Sequence, residues 1–305
     1  MKKQTIPALL LTLALLLGLT ACGTQTAQQT QTTQQTVQTQ TETPTQAPTE
    51  APAPTEEPEP DIEIIVFAAA SMTETLNQII ELYCAERPNV TITPNYDSSG
   101  TLKTQIQEGA PCDLFISAGQ KQMNQLDSKA DPAVNTDGLD FVDPSSRINL
   151  LENKVTLVVP DGNPKGIESF DQLAGLLADG AVLMAMGNSD VPVGQYTQKI
   201  LKYYELDEEA IANAGGITYG SNVKEVTTQV REGVVDCGVV YCTDAFSAGL
   251  TVVDSATAEM CGQVIYPASV LKTARQAEAA QTFLDYLTSP AAMAVFEAVG
   301  FSPVN

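Results

Sequence analysis

From residue 61 onward, short apolar runs of strand length alternate with segments whose apolar residues recur at helical spacing, and this alternation restricts the fold more than any other feature. Ile62, Ile64, Ile65, Val66 and Phe67 read as a strand, and Met72, Leu76, Ile79, Ile80 and Tyr83 mark one face of the helix that follows. The same reading places strands over 90–93, 113–117, 155–159, 182–186, 238–241 and 264–271. Helices are expected from 100, over 121–126, 170–177, 193–203 and 223–230, with a final pair split by Pro290. Such a pattern calls for an α/β fold of parallel sheets with helices on both faces and ligands at the carboxyl ends of the strands. No 20–50-residue repeat is visible, which excludes a solenoid. The polar stretch 128–149 reads as a surface loop leading to a second lobe. The expected division is 61–152 with 243–305 as lobe I and 153–242 as lobe II.

The first 60 residues are of another kind. Lys2 and Lys3 precede an apolar run over 8–19 that ends in Leu19-Thr20-Ala21-Cys22-Gly23. This resembles a bacterial lipoprotein signal, with residues 1–21 removed and lipid on Cys22; the run is too short for a comfortable membrane-spanning helix. Residues 22–60 are almost entirely Thr, Gln, Pro, Ala and Glu, with too little apolar surface to offset the entropy of ordering, and are expected to be a disordered tether. A flexible chain of this length has an r.m.s. reach of roughly 34 Å.

Charge and composition narrow the function. The chain has 15 basic against 37 acidic residues, a formal net charge of −22, which excludes nucleic acid as a partner. It contains no histidine, so Ser-His-Asp and Cys-His catalysis, histidine zinc sites and the usual neutral-pH general base are all missing. Beyond Cys22, five cysteines remain: Cys84, Cys112, Cys237, Cys242 and Cys261. Five cannot all pair, and Cys237 and Cys242 flank a strand that would hold their Cα atoms about 16 Å apart. They read as small buried residues rather than a disulfide framework.

The candidate site lies at the junctions that lead into helices. Ser71 follows the first strand and has Glu74 three residues on, the spacing of a capping box with Ser71 as N-cap. The cluster Asp97-Ser98-Ser99-Gly100-Thr101 opens the next helix, and Val193 and Val223 begin two more. Each residue taken singly also reads as an ordinary cap or first-turn residue. Helix N-termini present unpaired N–H groups, however, and several facing one cleft would hold an anion.

The motifs Phe67-Ala-Ala-Ala-Ser71, Ser98-Ser99-Gly100-Thr101-Leu102, Gln107-Glu-Gly-Ala-Pro111 with Asp113-Leu-Phe-Ile-Ser-Ala118, Val191-Pro-Val-Gly194 with Tyr196, and Val239-Val-Tyr241 with Asp244-Ala245 stand in this order. Together they resemble the periplasmic molybdate-binding proteins of ABC importers, over essentially all of 62–305. The resemblance implies a two-lobed, type II periplasmic-binding fold with molybdate or tungstate in the cleft and no chemistry performed on it. It also implies oxyanion contacts from Ser71 and Ser99 in the first lobe, backbone N–H groups of Val193 and Val223 in the second, and the Tyr241 hydroxyl. The implied setting is a monomeric extracytoplasmic lipoprotein, held at the membrane through Cys22, that serves the permease and ATPase subunits of an importer. No cofactor and no cation site are expected. The family often has Ala where this chain has Val193, a change that a main-chain contact tolerates.

Other readings remain open on the residues alone. The same donors would surround another tetrahedral oxyanion such as sulfate. A cation-binding lipoprotein would use Asp97, Asp113, Asp190, Asp244 and Tyr241, although these lack a compact loop spacing. An enzyme would need Ser71 or Ser99 activated by a carboxylate or by a lysine such as Lys103.

Overall fold

The computed structural model describes residues 60–304; the expected signal peptide, Cys22 and nearly all of the tether lie outside them. In chain order, β1 (Ile62–Ala69) runs through a 3-10 turn (Ala70–Met72) into α1 (Thr73–Glu86), followed by β2 (Val90–Asp97), α2 (Ser99–Gln107), β3 (Leu114–Ile116), α3 (Gln120–Gln125) and β4 (Ile148–Asn153). The second lobe contains β5 (Val155–Val159), α4 (Phe170–Ala178), β6 (Met184–Gly187), α5 (Pro192–Tyr203), α6 (Glu208–Asn213), β7 (Ile217–Gly220), α7 (Val223–Arg231), β8 (Cys237–Tyr241), α8 (Cys242–Ala248), β9 (Thr251–Ser255) and α9 (Ala258–Cys261). The chain then returns through β10 (Val264–Val270), α10 (Ala277–Leu287), α11 (Pro290–Ala298) and β11 (Ser302–Pro303).

Two sheets result, ordered β11-β4-β10-β3-β1-β2 and β7-β6-β8-β5-β9. Both are mixed, not parallel as the alternation implied. β1 runs parallel to β2 and β3, but β10 is antiparallel to β3 and β4; in the second sheet β6 is parallel to β7 and β8 while β5 is antiparallel to β8 and β9. The reversed strands β5 and β10 are those at which the chain enters the second lobe and returns to the first, and β11 adds a further antiparallel strand against β4.

Period-two alternation explains how β1 is covered on both faces. Ile64, Val66 and Ala68 point into the main core with Leu76, Ile79 and Tyr83 of α1, while Phe67 points the other way, onto Leu102, Ile106 and Met123 of α2 and α3. Tyr83 meets Phe283 of α10 edge to face at 4.9 Å. In the second lobe α4 and α5 cover Met184 and Val239 on one face. On the other, α7 lies so close to β8 that a Cβ on Gly238 would stand 2.5 Å from Val230.

The chain passes from the first sheet to the second at Lys154, close to the expected 152/153 boundary. The return at 243 needs correction. β9 pairs with β5, Thr156 opposite Ser255, so the second sheet extends past 243 and the first resumes only with β10. β9 carries no alternating apolar face, being an exposed edge strand, and so leaves no signal in the sequence. The 128–149 stretch is irregular up to the start of β4 at Ile148, as expected of a loop, but it is tied down. Asn135 bonds the Asp127 and Leu139 backbones, and Arg147 pairs with Asp127 at 2.6 Å. The five cysteines after residue 60 are free thiols.

Candidate functional site

The starts of α2, α5 and α7 and the 3-10 turn before α1 meet at one buried cavity between the lobes. Ser71, Ser99, Val193, Val223 and Tyr241 all line it, joined by Ala118. The cavity has a volume of about 10 Å³, near what a single water requires, so the lobes are closed on the site. A larger groove of about 450 Å³ runs beside it between α3 and α5, lined by Lys121, Lys199 and Lys202. Those lysines are exposed.

Each junction supplies N–H groups for a local reason. Ser99 is the first residue of α2, Val193 the second of α5 after Pro192, and Val223 the first of α7. Residues of a helix's first turn have no intrahelical acceptor for their N–H groups. The capping side chains are the neighbours instead: Ser98 accepts from Thr101 N–H and Asn222 from Glu225 N–H. Close packing sets the angle of α5, because a Cβ on Gly194 would lie 2.2 Å from the Gly187 carbonyl oxygen.

Two local expectations change. Ser71 is not an N-cap, and there is no capping box with Glu74. The chain enters α1 through the 3-10 turn, Met72 occupies the cap position without a side-chain bond, and Glu74 turns outward to Lys224. The Ser71 hydroxyl instead meets the Tyr266 phenol at 2.9 Å. Ser99 is likewise inside the helix, fully buried, and its Oγ accepts from Ala118 N–H at 2.9 Å.

A buried network orients Ser71. Asn153 Oδ1 accepts from Lys154 N–H, which turns its amide nitrogen to donate to Thr243 Oγ1 at 3.0 Å and to the Tyr266 oxygen at 3.2 Å. The Tyr266 oxygen, which accepts from Asn153, also shares a hydrogen bond with Ser71 Oγ that either hydroxyl can donate. Burial holds the Tyr266 and Tyr241 hydroxyls well above the ordinary tyrosine range, so both remain protonated donors at neutral pH. Tyr241 reaches across the cleft to the Ala118 carbonyl at 3.4 Å, a long contact that leaves its proton weakly engaged. Sequence reasoning missed Tyr266 and Asn153, which look like ordinary strand residues.

The carboxylate in the lining, Asp97, turns Oδ1 to Ser98 N–H at 2.7 Å and to the Asn222 amide at 3.4 Å. Asp113, far from forming a cation ligand set, accepts from the N–H groups of Ile65, Arg275 and Gln276. Among the described residues no three His, Cys, Asp or Glu side chains converge into a metal cage. Ser71 faces the Tyr266 phenol, and Ser99 Oγ accepts from a backbone N–H.

Residues 64–302 match the family described as bacterial extracellular solute-binding protein. The chain is 34% identical to the ABC transporter substrate-binding lipoprotein YvgL of Bacillus subtilis, over 78% of this chain and 85% of that protein. It is 30% identical to the molybdate-binding protein ModA of Haemophilus influenzae, over 79% of this chain and 90% of that one. A solved structure from Clostridium difficile, described as the substrate binding domain of a molybdenum ABC transporter, superposes with a TM-score of 0.58 at 31% identity, covering 80% of this chain and all of that one. With its two α/β lobes and its match over nearly the whole described region, this chain belongs to the bacterial extracellular solute-binding protein family.

Proposed function

We propose that the cavity captures molybdate, and tungstate with it, through the Ser71 and Ser99 hydroxyls and N–H groups, the Val193 and Val223 N–H groups and the Tyr241 hydroxyl. The observation that carries this reading is the convergence of helix starts from both lobes on one cavity with no lysine or arginine in its lining. Neutral donors aimed into a low-dielectric space stabilise a dianion without a counter-charge, and water-filled opening of the cleft releases it. The relatives named for molybdate favour this anion over sulfate. Calorimetric titration with molybdate, tungstate, sulfate and phosphate tests it. Molybdate and tungstate bind one per chain, with sulfate at least about a hundredfold weaker, roughly 2.7 kcal/mol. Equal affinity for sulfate would assign the site to another oxyanion.

In this reading the protein is an extracytoplasmic monomer that delivers its anion to the permease and ATPase of an ABC importer, without catalysis. The lobes move about the strand crossing at Lys154 and the return into β10. Cys22 carries the lipid, supported by the apolar run that ends beside it and by the lipoprotein among the relatives. Cys22→Ala releases the protein from membranes; a variant that stays bound after a high-salt wash contradicts the anchor.

A further inference from the structure

Beside the cavity stand three charged side chains that make none of the proposed anion contacts. Lys224 follows Val223 in the first turn of α7. Its ammonium lies 2.9 and 2.7 Å from the two carboxylate oxygens of Glu74 on α1, and 3.2 Å from Asp244 Oδ1 on α8. Glu74 belongs to the first lobe, and Lys224 and Asp244 to the second. The ion pair therefore spans the cleft.

The two ends differ in environment. Asp244 is fully buried, and neither oxygen has an aligned hydrogen bond, so the Lys224 contact is a charge contact. Glu74 is half exposed, its side chain at 51%. Asp244 thus anchors the lysine within the second lobe, while the pair with Glu74 exists only when the lobes are together. Closing it draws the start of α7, with the Val223 N–H, toward the turn that bears Ser71. The lysine also offsets two carboxylates that would otherwise face an anion site.

We propose that Lys224 is a positioning residue for anion capture: a tie across the cleft, made on closure, that prolongs the bound state. The inference rests on the molybdate reading above. Because the Glu74 end is solvated, Glu74→Gln weakens molybdate binding only about two- to fivefold. Lys224→Met, which also strands a buried carboxylate, weakens it about tenfold or more. Lys224→Arg restores most of the loss.

The test is a double-mutant cycle on the full chain with molybdate as ligand, read by calorimetry and by the melting temperature of the ligand-free protein. Glu74→Gln is expected to weaken binding in the parent, to add nothing in the Lys224→Met background, and to leave ligand-free melting unchanged. The inference is overturned by unchanged or tighter binding in Glu74→Gln, by equal losses with and without Lys224, or by a matching fall in ligand-free melting. Should Lys224→Met not fold, the same comparison of Glu74→Gln is made in the Lys224→Gln background, and Glu74→Gln alone still decides between a tie and a bystander. A parent that binds no molybdate overturns the functional reading itself; a parent that binds it with additive substitutions overturns only the tie.

Discussion

A hydroxyl beside a bound anion is useful only if it is held in place, and the Tyr266 hydroxyl holds that of Ser71 at 2.9 Å. Tyr266→Phe removes the hydrogen-bond partner of Ser71 Oγ and leaves the serine hydroxyl free to turn away. The loss is that of a neutral hydrogen bond, about 0.5–1.5 kcal/mol, so molybdate affinity falls roughly 2- to 13-fold. Parent affinity in a calorimetric titration of that variant contradicts the orienting network. Ser71 itself was legible as a small hydroxyl residue between an apolar strand and an amphipathic helix. Its partner was not: Tyr266 lies 195 residues away along the chain and resembles any buried strand aromatic. The capping assignment failed because sequence marks where a helix begins but not whether a tighter turn precedes it. Asp244 carries a second consequence. Burial pushes its carboxyl up from 3.8 to about 6, against the opposing pull of Lys224. A raised carboxyl binds its proton more tightly in the folded than in the unfolded chain, so its ionisation costs stability above pH 6, and the cost is relieved as pH falls from 6 toward 3.8. Between pH 7 and pH 5 the parent gains about 1 kcal/mol relative to Asp244→Asn. Thermal melts with identical pH slopes in the two proteins contradict this.

At the scale of elements, the helix starts form the site, and close backbone approach brings them together. A Cβ on Gly100, in the first turn of α2, would stand 2.2 Å from the Asp190 carbonyl oxygen across the cleft. Backbone on both sides cannot yield as a flexible side chain would. Gly100→Ala therefore holds the lobes apart and weakens molybdate binding about 5- to 150-fold, while ligand-free stability holds or rises, since alanine favours the helix. Unchanged affinity in this variant would contradict a site completed by closure. The elements that bear the site, β1, α5, α7 and β8, were readable because each presents a continuous apolar run or a clear helical face. β7 is four residues long and β9 is mostly exposed, so neither offered a pattern to read. Strand direction also escaped the sequence, because local alternation does not record which strands carry the chain back between lobes.

For the molecule as a whole, an acidic protein with an anionic ligand presents a physical contradiction that the structure resolves locally. The chain's net charge of −22 repels an oxyanion at long range. At short range the cavity offers N–H and O–H dipoles from both lobes, and the nearest carboxylates are each engaged, Asp97 by Ser98 and Asn222, Glu74 and Asp244 by Lys224. The two-lobed plan was legible from the alternation and motif order, whereas the return point was misplaced because β9 belongs to the second sheet. The central claim is that hydroxyl groups from one lobe and helix N–H groups from the other hold one molybdate. It is tested most directly by calorimetric titration of the parent, Ser71→Ala and Ser99→Ala with molybdate. Loss of a hydroxyl donor to a buried anion costs about 1.5–3 kcal/mol. The account predicts one molybdate per parent chain and affinities roughly 10- to 150-fold weaker in each serine variant; parent-like affinity in both would reduce Ser71 and Ser99 to structural hydrogen-bonding residues and contradict it.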